Sequence, residues 1–400
     1  MHTHIKKLYE IANKPERLII GLMSGTSLDG LDVALCRVKG QGTQTILDVV
    51  HFTTVPYTPD YKTKIKNIFS KRDVDLQNIC LLNPWVGNLH GEMILSSLNE
   101  WGIEPQEVDL IASHGQTIYH CPKSLHNLEG YTNATLQIGD GDHIAFKTGI
   151  ITCSDFRQKH IAAGGEGAPL AVYGDFLLFS NEQENRIMLN LGGIANLTYL
   201  PKSRNAMQVF STDIGPGNTI MDAFIQKEYP GKYFDKNAEI ALRGTVNHAL
   251  LSALKNHVFF DQSLPKTTGP ELFNLEYLEN AQSSCDQLNL SNNDILATLN
   301  LFSADMVVHA LGQCAEKLDD YEIYCSGGGI ANPLLMKNLA KALPNKLIKS
   351  TNDLNIDPDA KEAVLFAVLA NECVSGGQTQ IGNMEEGIPS VSMGKLSFSD

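Results

Sequence analysis

The sequence predicts an α/β protein built as two domains, and three observations lead there: a length of 400 residues, apolar strand patterns alternating with helical ones, and two halves that each open with a hairpin. A single core stops growing near roughly 250–300 residues, so a chain of this length divides. Two domains imply a cleft between them. The halves share a layout although no repeat survives residue by residue, which reads as a diverged duplication.

Taken in order, the first hairpin is LIIGLMSGTSLDGLDVALCRV, Leu18 to Val38, where two apolar runs flank a turn of small and hydroxyl residues. VDLIASHGQTIYH, Val108 to His120, reads as a strand ending in Ser113-His114-Gly115-Gln116-Thr117. ITCSDFRQKHIAAGGEGAPLAVYGDFLLF, Ile151 to Phe179, carries an apolar run into Asp155 and Arg157, and its Gly164-Gly165-Glu166-Gly167-Ala168-Pro169 introduces a helix. The second hairpin is RIMLNLGGIANLTYL, Arg186 to Leu200, bent at Leu191 to Asn196. MQVFSTDIGPGNTIMDAFI, Met207 to Ile225, is a strand, a Gly-Pro-Gly turn and a helix from near Asn218. YEIYCSGGGIANPLLMKNLAKAL, Tyr321 to Leu343, is a strand running into three glycines and a helix opened by Asn332-Pro333. Helical periodicity fills the intervals, as in YKTKIKNIFS, LLNPWVGNLHGEMILSSLNEW, ATLNLFSADMVVHALGQCAEKL and AKEAVLFAVLANEC.

Composition narrows the function classes. With 43% hydrophobic and 19% charged residues and 33 glycines, and a mean hydropathy of -0.12, the chain is an ordinary globular protein rich in turns. A formal net charge of -14 argues against a nucleic-acid or anionic-membrane surface, which needs a basic face to displace counterions. No segment reads as approaching the ~20 apolar residues that span a bilayer, and the start, MHTHIKKLYEIANKPER, lacks the apolar core of a secretory signal, so a cytoplasmic chain is expected. Eight cysteines, at 36, 80, 121, 153, 285, 314, 325 and 373, form no CxxC pair. Reduced, mostly buried thiols and no structural zinc are expected.

The glycine turns carry the chemistry. Phosphate is held by backbone N–H groups that converge where glycine permits close approach and by the N-termini of helices. Gly25 to Gly30 and Asp213 to Asn218 both offer that arrangement. Gly25 and Gly30 have the spacing of a Walker A loop, but Leu31 and Asp32 stand where Lys and Ser/Thr belong. Gly215, Gly217 and Ile220, like Gly327, Gly329 and Asn332, lack the third small residue of a dinucleotide fingerprint. One such turn closes a hairpin and means nothing more; three in one chain, each after an apolar strand, point to a nucleotide. Asp29 and Asp213 sit inside these turns and would repel phosphate unless a divalent cation intervened, so Mg²⁺ is implied, with turn or cap residues as the plain alternative. Asp155, a carboxylate at a strand end, suits a general base, and Arg157 suits bidentate capture of a carboxylate or phosphate. An Asp155–Arg157 surface ion pair is the competing reading. His114 at its strand end reads first as a hydrogen-bonded structural residue.

These turns, in this order, resemble the phosphate-1, connect, phosphate-2 and adenosine elements of the sugar kinase, Hsp70 and actin superfamily. More narrowly, MSGTSLDGLD, SHGQT, LQIGDGDHIA, TGI followed by SDFR, GGEGAPL, LNLGGIANL, DIGPGN, YFDKNAE, PKTTGPELFN and GGGIANPLLM resemble the anhydro-N-acetylmuramic acid kinase family over Gly21 to about Ala370. The resemblance implies two actin-like, ribonuclease H-like domains, residues 1–140 with about 365–400 and residues 141–364, with ATP in the cleft between them. It implies an enzyme that opens 1,6-anhydro-N-acetylmuramic acid with water and phosphorylates its 6-hydroxyl with ATP, in peptidoglycan recycling, and a homodimer. It assigns the ATP phosphates to Gly25, Thr26, Ser27, Leu28, Asp29, Gly30, Leu31 and Asp32, with Gly193, Asn196, Asp213, Gly215, Gly217 and Asn218 completing the phosphate site. Adenosine falls to Gly327, Gly328, Gly329 and Asn332, the sugar to Arg157, His114, Gln116, Thr117, Gly165 and Glu166, and the metal to Asp29 and Asp213. Asp155 becomes the base that activates water.

Three features depart from the family pattern: Glu166 replaces the usual Gln, LAVYGDFLLF lacks an aromatic-histidine pair, and Lys361 stands where an acidic residue or Met is commoner. The alternatives are another sugar kinase of the superfamily, marked by use of a free sugar, and a non-catalytic ATP-binding regulator, marked by slow ATPase indifferent to sugar.

Overall fold

The computed structural model describes residues 1–315, 320–376 and 389–399. It divides into two compact units: Met1–Ser180 with Ala206–Gln208 and Ala360–Asp400, and Asn181–Asn205 with Val209–Asp359. The strands in chain order are β1 (Glu16–Ser24), β2 (Gly30–Lys39), β3 (Ile46–Pro56), β4 (Leu110–Cys121), β5 (Ala134–Ile138), β6 (Thr152–Ser154), β7 (Asn185–Leu191), β8 (Ile194–Leu200), β9 (Phe210–Pro216), β10 (Tyr321–Ser326), β11 (Ile348–Ser350) and β12 (Lys395–Ser397).

Both sheets follow one plan. In the first unit the order is β12-β6-β4-β1-β2-β3, with β5 on the far half of β4; in the second it is β11-β10-β7-β8-β9. The consecutive hairpins are antiparallel, β1 with β2 and β2 with β3, β7 with β8 and β8 with β9. The next strand returns parallel to the first: β4 to β1 and β6 to β4, β10 to β7 and β11 to β10. With the β5 hairpin and the edge strand β12 of the first unit set aside, the strands of each sheet run in the order 3-2-1-4-5, the ribonuclease H-like arrangement expected above. Tight turns suffice for the antiparallel pairs, whereas each parallel return requires a helical crossover. The helices Leu76–Trp101 and Gly141–Thr148 provide crossovers in the first unit, and Asn292–Ala315 and Pro333–Ala342 do so in the second.

The first boundary lies at Ser180 rather than at residue 140. β6 pairs with β4, and the helix Ala171–Phe179 packs on the helix Lys361–Ser375, so residues 141–180 belong with the first sheet. SHGQT also falls inside its strand rather than at the end. β4 continues to Cys121 because its second half finds a new partner in β5.

Each unit has its own core. Ile20, Leu31, Val33, Tyr61, Ile94 and Ile111 fill the first; Ile187, Leu197, Phe273, Phe302 and Leu335 fill the second. One helix corrects the expectation that no segment is apolar enough to span a bilayer. Asn292–Cys314 passes that test by length and composition at a mean hydropathy of 1.4, but 72% of its window is buried in the protein. Its Leu296, Leu299, Phe302, Val307 and Leu311 are central to the second core, which explains an apolar composition all round. The cysteines form no disulfide but are less buried than expected: Cys36, Cys153, Cys314 and Cys325 are buried, Cys80 is exposed and the other three are intermediate.

The helix Lys361–Ser375 crosses β1 at Gly21, where an added Cβ would stand 1.9 Å from the Ala363 carbonyl oxygen. Only a residue without a side chain permits that approach. Gly21→Ala should therefore lower unfolding free energy by about 1–3 kcal/mol or more, as overpacking does. Urea denaturation checks this, and a wild-type midpoint would contradict the close packing.

Candidate active site

In the first unit, the β1–β2 turn is braced from below by a buried polar cluster. Ser24 donates its hydroxyl to Gln116 Oε1 at 2.6 Å, Tyr61 donates to the same oxygen at 3.2 Å, and Tyr57 donates to Ser24 Oγ at 2.8 Å. The Gln116 amide nitrogen donates to the Gly25 carbonyl at 3.4 Å and that of Thr117 at 3.2 Å. Gln116, fully buried, is thus committed to holding the turn. Thr117 accepts from Gln137 at 3.1 Å. The tip above this frame is open: Thr26, Ser27 and Asp29 are exposed while Leu28 and Leu31 point into the core. The Thr26 and Ser27 amides make no hydrogen bond with other described residues. Ser27 donates its hydroxyl to Asp29 at 2.6 Å, and Thr54 donates to Asp32 at 2.6 Å.

Asp155 and Arg157 are not partners. Asp155 caps the helix Phe156–Ala162 with a left-handed backbone (φ 55°) and makes no side-chain capping bond. Its Oδ2 pairs with Lys395 of β12, and its Oδ1 has no partner among the described residues. Arg157 donates Nε to His114 Nε2 at 3.0 Å and Nη1 to the Gly167 carbonyl at 2.7 Å. Burial pushes its guanidinium down to about 10, with Glu362 opposing, so it stays charged at neutral pH. His114 is 3% exposed. Its Nδ1 meets the Gly115 carbonyl at 2.8 Å, and burial, aided by Arg157, holds it well below its usual range. A neutral ring with Nδ1 protonated leaves Nε2 as the acceptor that aims the guanidinium. Glu166 accepts from Ser124 at 3.3 Å, and Gly165 lies against the His160 ring. Glu362, at the first turn of its helix, is pushed up by desolvation and by Asp29, with Lys361 and Arg157 opposing. Its side chain is nonetheless exposed at the surface.

In the second unit, the Gly-Pro-Gly turn is laced onto the hairpin turn at Gly192-Gly193. The Gly217 and Thr219 amides donate to the Gly193 carbonyl at 2.8 and 3.0 Å, and the Asn218 amide donates to that of Gly192 at 2.9 Å. A Cβ on Gly217 would lie 2.2 Å from the Gly192 oxygen. The expectation that this turn offers these amides to phosphate is corrected: they are already satisfied, and the turn's role is to lock two loops together. Gly215 sits in β9 opposite Ala195, and Asn196 stands opposite Asp213. Asp213 accepts from the Thr268 amide at 2.9 Å, and burial pushes its carboxyl up to about 6, the Thr268 amide opposing. Gly327 and Gly329 lie against Asn190 and Leu191 of β7, whereas Gly328 faces open space.

That open space is a cavity of about 410 Å³ lined by Asn218, Gly328 and Asn332, which sequence reasoning had assigned to two different nucleotide elements, together with Met221, Asp222 and Phe234. Asn332 caps the helix Pro333–Ala342 and accepts from Asn300, which in turn accepts from Asn338, each at 3.0 Å. Sequence reasoning missed Asp222, Phe234, Asn300, Glu362 and Lys395 as site residues. The block YFDKNAE, which supplies Phe234 to Asn237 of the cavity wall, was the available signal. The other residues are polar positions on apolar helices or on a distant strand and carry none.

The pattern of the anhydro-N-acetylmuramic acid kinase family matches residues 17–394. The chain belongs to that family. The anhydro-N-acetylmuramic acid kinase of Pseudoalteromonas atlantica is 59% identical, covering 100% of both chains; that of Caldanaerobacter subterraneus subsp. tengcongensis is 38% identical over 98% of this chain and 100% of its own. Among solved structures, the activator of the 2-hydroxyisocaproyl-CoA dehydratase from Clostridium difficile aligns over 92% of this chain and 98% of its own at 12% identity, with a TM-score of 0.38 too low to add to the assignment. Membership makes the chain an enzyme, an anhydro-N-acetylmuramic acid kinase, and ATP use goes with the family.

Lys361, which departs from the family pattern, has a buried partner. Lys361 pairs at 2.9 Å with Asp175 of LAVYGDFLLF, at side-chain exposures of 12% and 3%. Removing one partner strands a buried charge. Lys361→Met should cost about 3–5 kcal/mol of stability, and adding Asp175→Leu should recover most of it. Lys395→Met, which breaks a far more exposed pair, should stay within about 0.5 kcal/mol. Denaturant unfolding of the three variants decides; an unrecovered double variant would overturn the pairing as the cause.

Proposed function

We propose that this kinase hydrolyses the 1,6-anhydro bridge of anhydro-N-acetylmuramic acid and transfers the γ-phosphoryl group of ATP to the freed oxygen, giving N-acetylmuramic acid 6-phosphate and ADP. The observation that carries the reading is the convergence of Asn218, Gly328 and Asn332 on one cavity, of a size suited to a nucleoside.

Asp155 takes a proton from the water that attacks C1, using the oxygen that Lys395 leaves free. As the new C1–O bond forms, the C1–O6 bond breaks, and O6 attacks the γ-phosphorus while the bond to the β-phosphate oxygen breaks and ADP departs. Arg157, already aimed by His114 and Gly167, has donors left for the lactyl carboxylate. Thr117, Gly165 and Glu166 contribute to the sugar site, and Gln116 supports it through the turn above. The open Thr26 and Ser27 amides suit phosphate oxygens. Asp29 in the first unit and Asp213 in the second are each candidates to hold Mg²⁺: a half-buried carboxyl at Asp213 with no cationic partner among its hydrogen bonds fits a cation's charge. The metal would supply charge neutralisation on the phosphates.

Asp155→Asn should reduce sugar-dependent ADP release by about 10²–10⁴ while the circular dichroism spectrum and unfolding midpoint stay those of wild type. Release supported equally by free N-acetylmuramic acid, or a fully active variant, would defeat the assignment of the base and of the bridge-opening step.

A further inference from the structure

The cavity of the second unit holds one carboxyl that the protein leaves unused. Of its other polar walls, Asp235 accepts from the amides of Ile240 and Ala241 at 3.0 and 2.9 Å, Asn332 accepts from the Leu335 amide and from Asn300, and Asn300 accepts from Asn338, while Lys236 and Asn237 line the same cavity with donors to offer. Asp222 differs. Its amide continues the helix Thr219–Glu228 by donating to the Asn218 carbonyl at 2.8 Å, but its carboxyl has no hydrogen-bond or ion-pair partner among the described residues. Burial pushes it up to about 7. A partly buried carboxyl without a partner costs free energy that a donor from a ligand would offset.

Position suggests which donor. Asp222 is one turn beyond Asn218, on the same face of the helix and about 6 Å along its axis. Asn218 stands at the N-terminal end of that helix, where the amides are spent on Gly192 and Gly193 and only the partial positive charge of the helix end favours phosphate. Met221, Phe234, Ala241 and Leu296 form the apolar part of the wall, suited to a base. A carboxyl between a phosphate end and an apolar wall meets the sugar that joins them.

We propose that Asp222 reads the ribose of the bound nucleotide, its carboxylate accepting hydrogen bonds from the 2′- and 3′-hydroxyls, and so selects ribonucleoside over deoxyribonucleoside triphosphates. The inference rests on placing the nucleoside in this cavity. A site built to hydrogen-bond a hydroxyl rejects the analogue that lacks it, because its own polar group is then left unpaired.

The test is steady-state kinetics of the whole enzyme at saturating anhydro sugar with ATP, 2′-deoxy-ATP and 3′-deoxy-ATP. Wild type should prefer ATP over at least one deoxy analogue by about tenfold or more in kcat/KM. Asp222→Leu should raise the KM for ATP about tenfold and bring that preference close to unity, with the KM for the sugar unchanged. Asp222→Asn, which keeps the shape and one acceptor oxygen, should fall between the two and serves if the leucine variant does not fold. Gly328→Leu tests the cavity itself: a Cβ there meets nothing within 4 Å, so the side chain can fill the space without strain. A raised KM for ATP in Gly328→Leu with the ribose preference intact in the Asp222 variants would overturn the role of Asp222 and leave the cavity. An unchanged KM in Gly328→Leu would overturn the cavity and the inference with it. A wild type indifferent to the ribose hydroxyls would overturn the inference directly.

Discussion

The parallel pairing of β1 with β4 and of β7 with β10 is the constraint on which the rest depends. Parallel strands end at the same edge of a sheet, and loops leaving that edge gather what the chain had kept apart. In the first unit Ser24 is level with Gln116, and Ser113 with Ser154; the β1–β2 turn, the SHGQT stretch of β4 and Asp155 are therefore brought side by side. In the second unit Asn190 is level with Ser326, so the Gly192-Gly193 and Gly327 to Gly329 turns meet at one edge. No local sequence preference produces these adjacencies. They follow from crossover helices returning each strand beside the first.

Once assembled, the edge is held by buried polar groups that satisfy one another. Gln116 is tied to Ser24, Tyr61 and Gly25, and His114 is neutral because burial disfavours its charge and Arg157 opposes it. In a low-dielectric surround such networks are rigid when complete and costly when broken. Rigidity is what a phosphoryl transfer requires, since its catalysis is mostly positioning and charge neutralisation. Residues read as ligands thus divide into two kinds. Arg157, Thr26 and Ser27 keep donors free, whereas Gln116, His114 and the Gly217 to Thr219 amides spend theirs on the frame.

The Lys361–Asp175 pair shows how a departure from a family pattern can be self-consistent. Either charge alone would be buried without a counterion; together Lys361 and Asp175 balance in the same place. The pair fastens the helix Ala171–Phe179 to the helix that crosses β1, leaving the β1–β2 turn and Asp155 untouched.

The hairpins, the glycine turns, the helix starts at Asn218 and Asn332 and the two-unit α/β plan were legible in the sequence, because each is set by local patterns of two- and four-residue period and by capping or turn chemistry. Tertiary structure alone decided which turn amides remain free, that Lys395 rather than Arg157 accompanies Asp155, that β4 runs on through SHGQT, and that Asp222 and Asn300 share a cavity with Gly328. Those outcomes depend on contacts between residues as far apart as Asp155 and Lys395. Such contacts are fixed by strand order and helix packing, to which no local pattern refers.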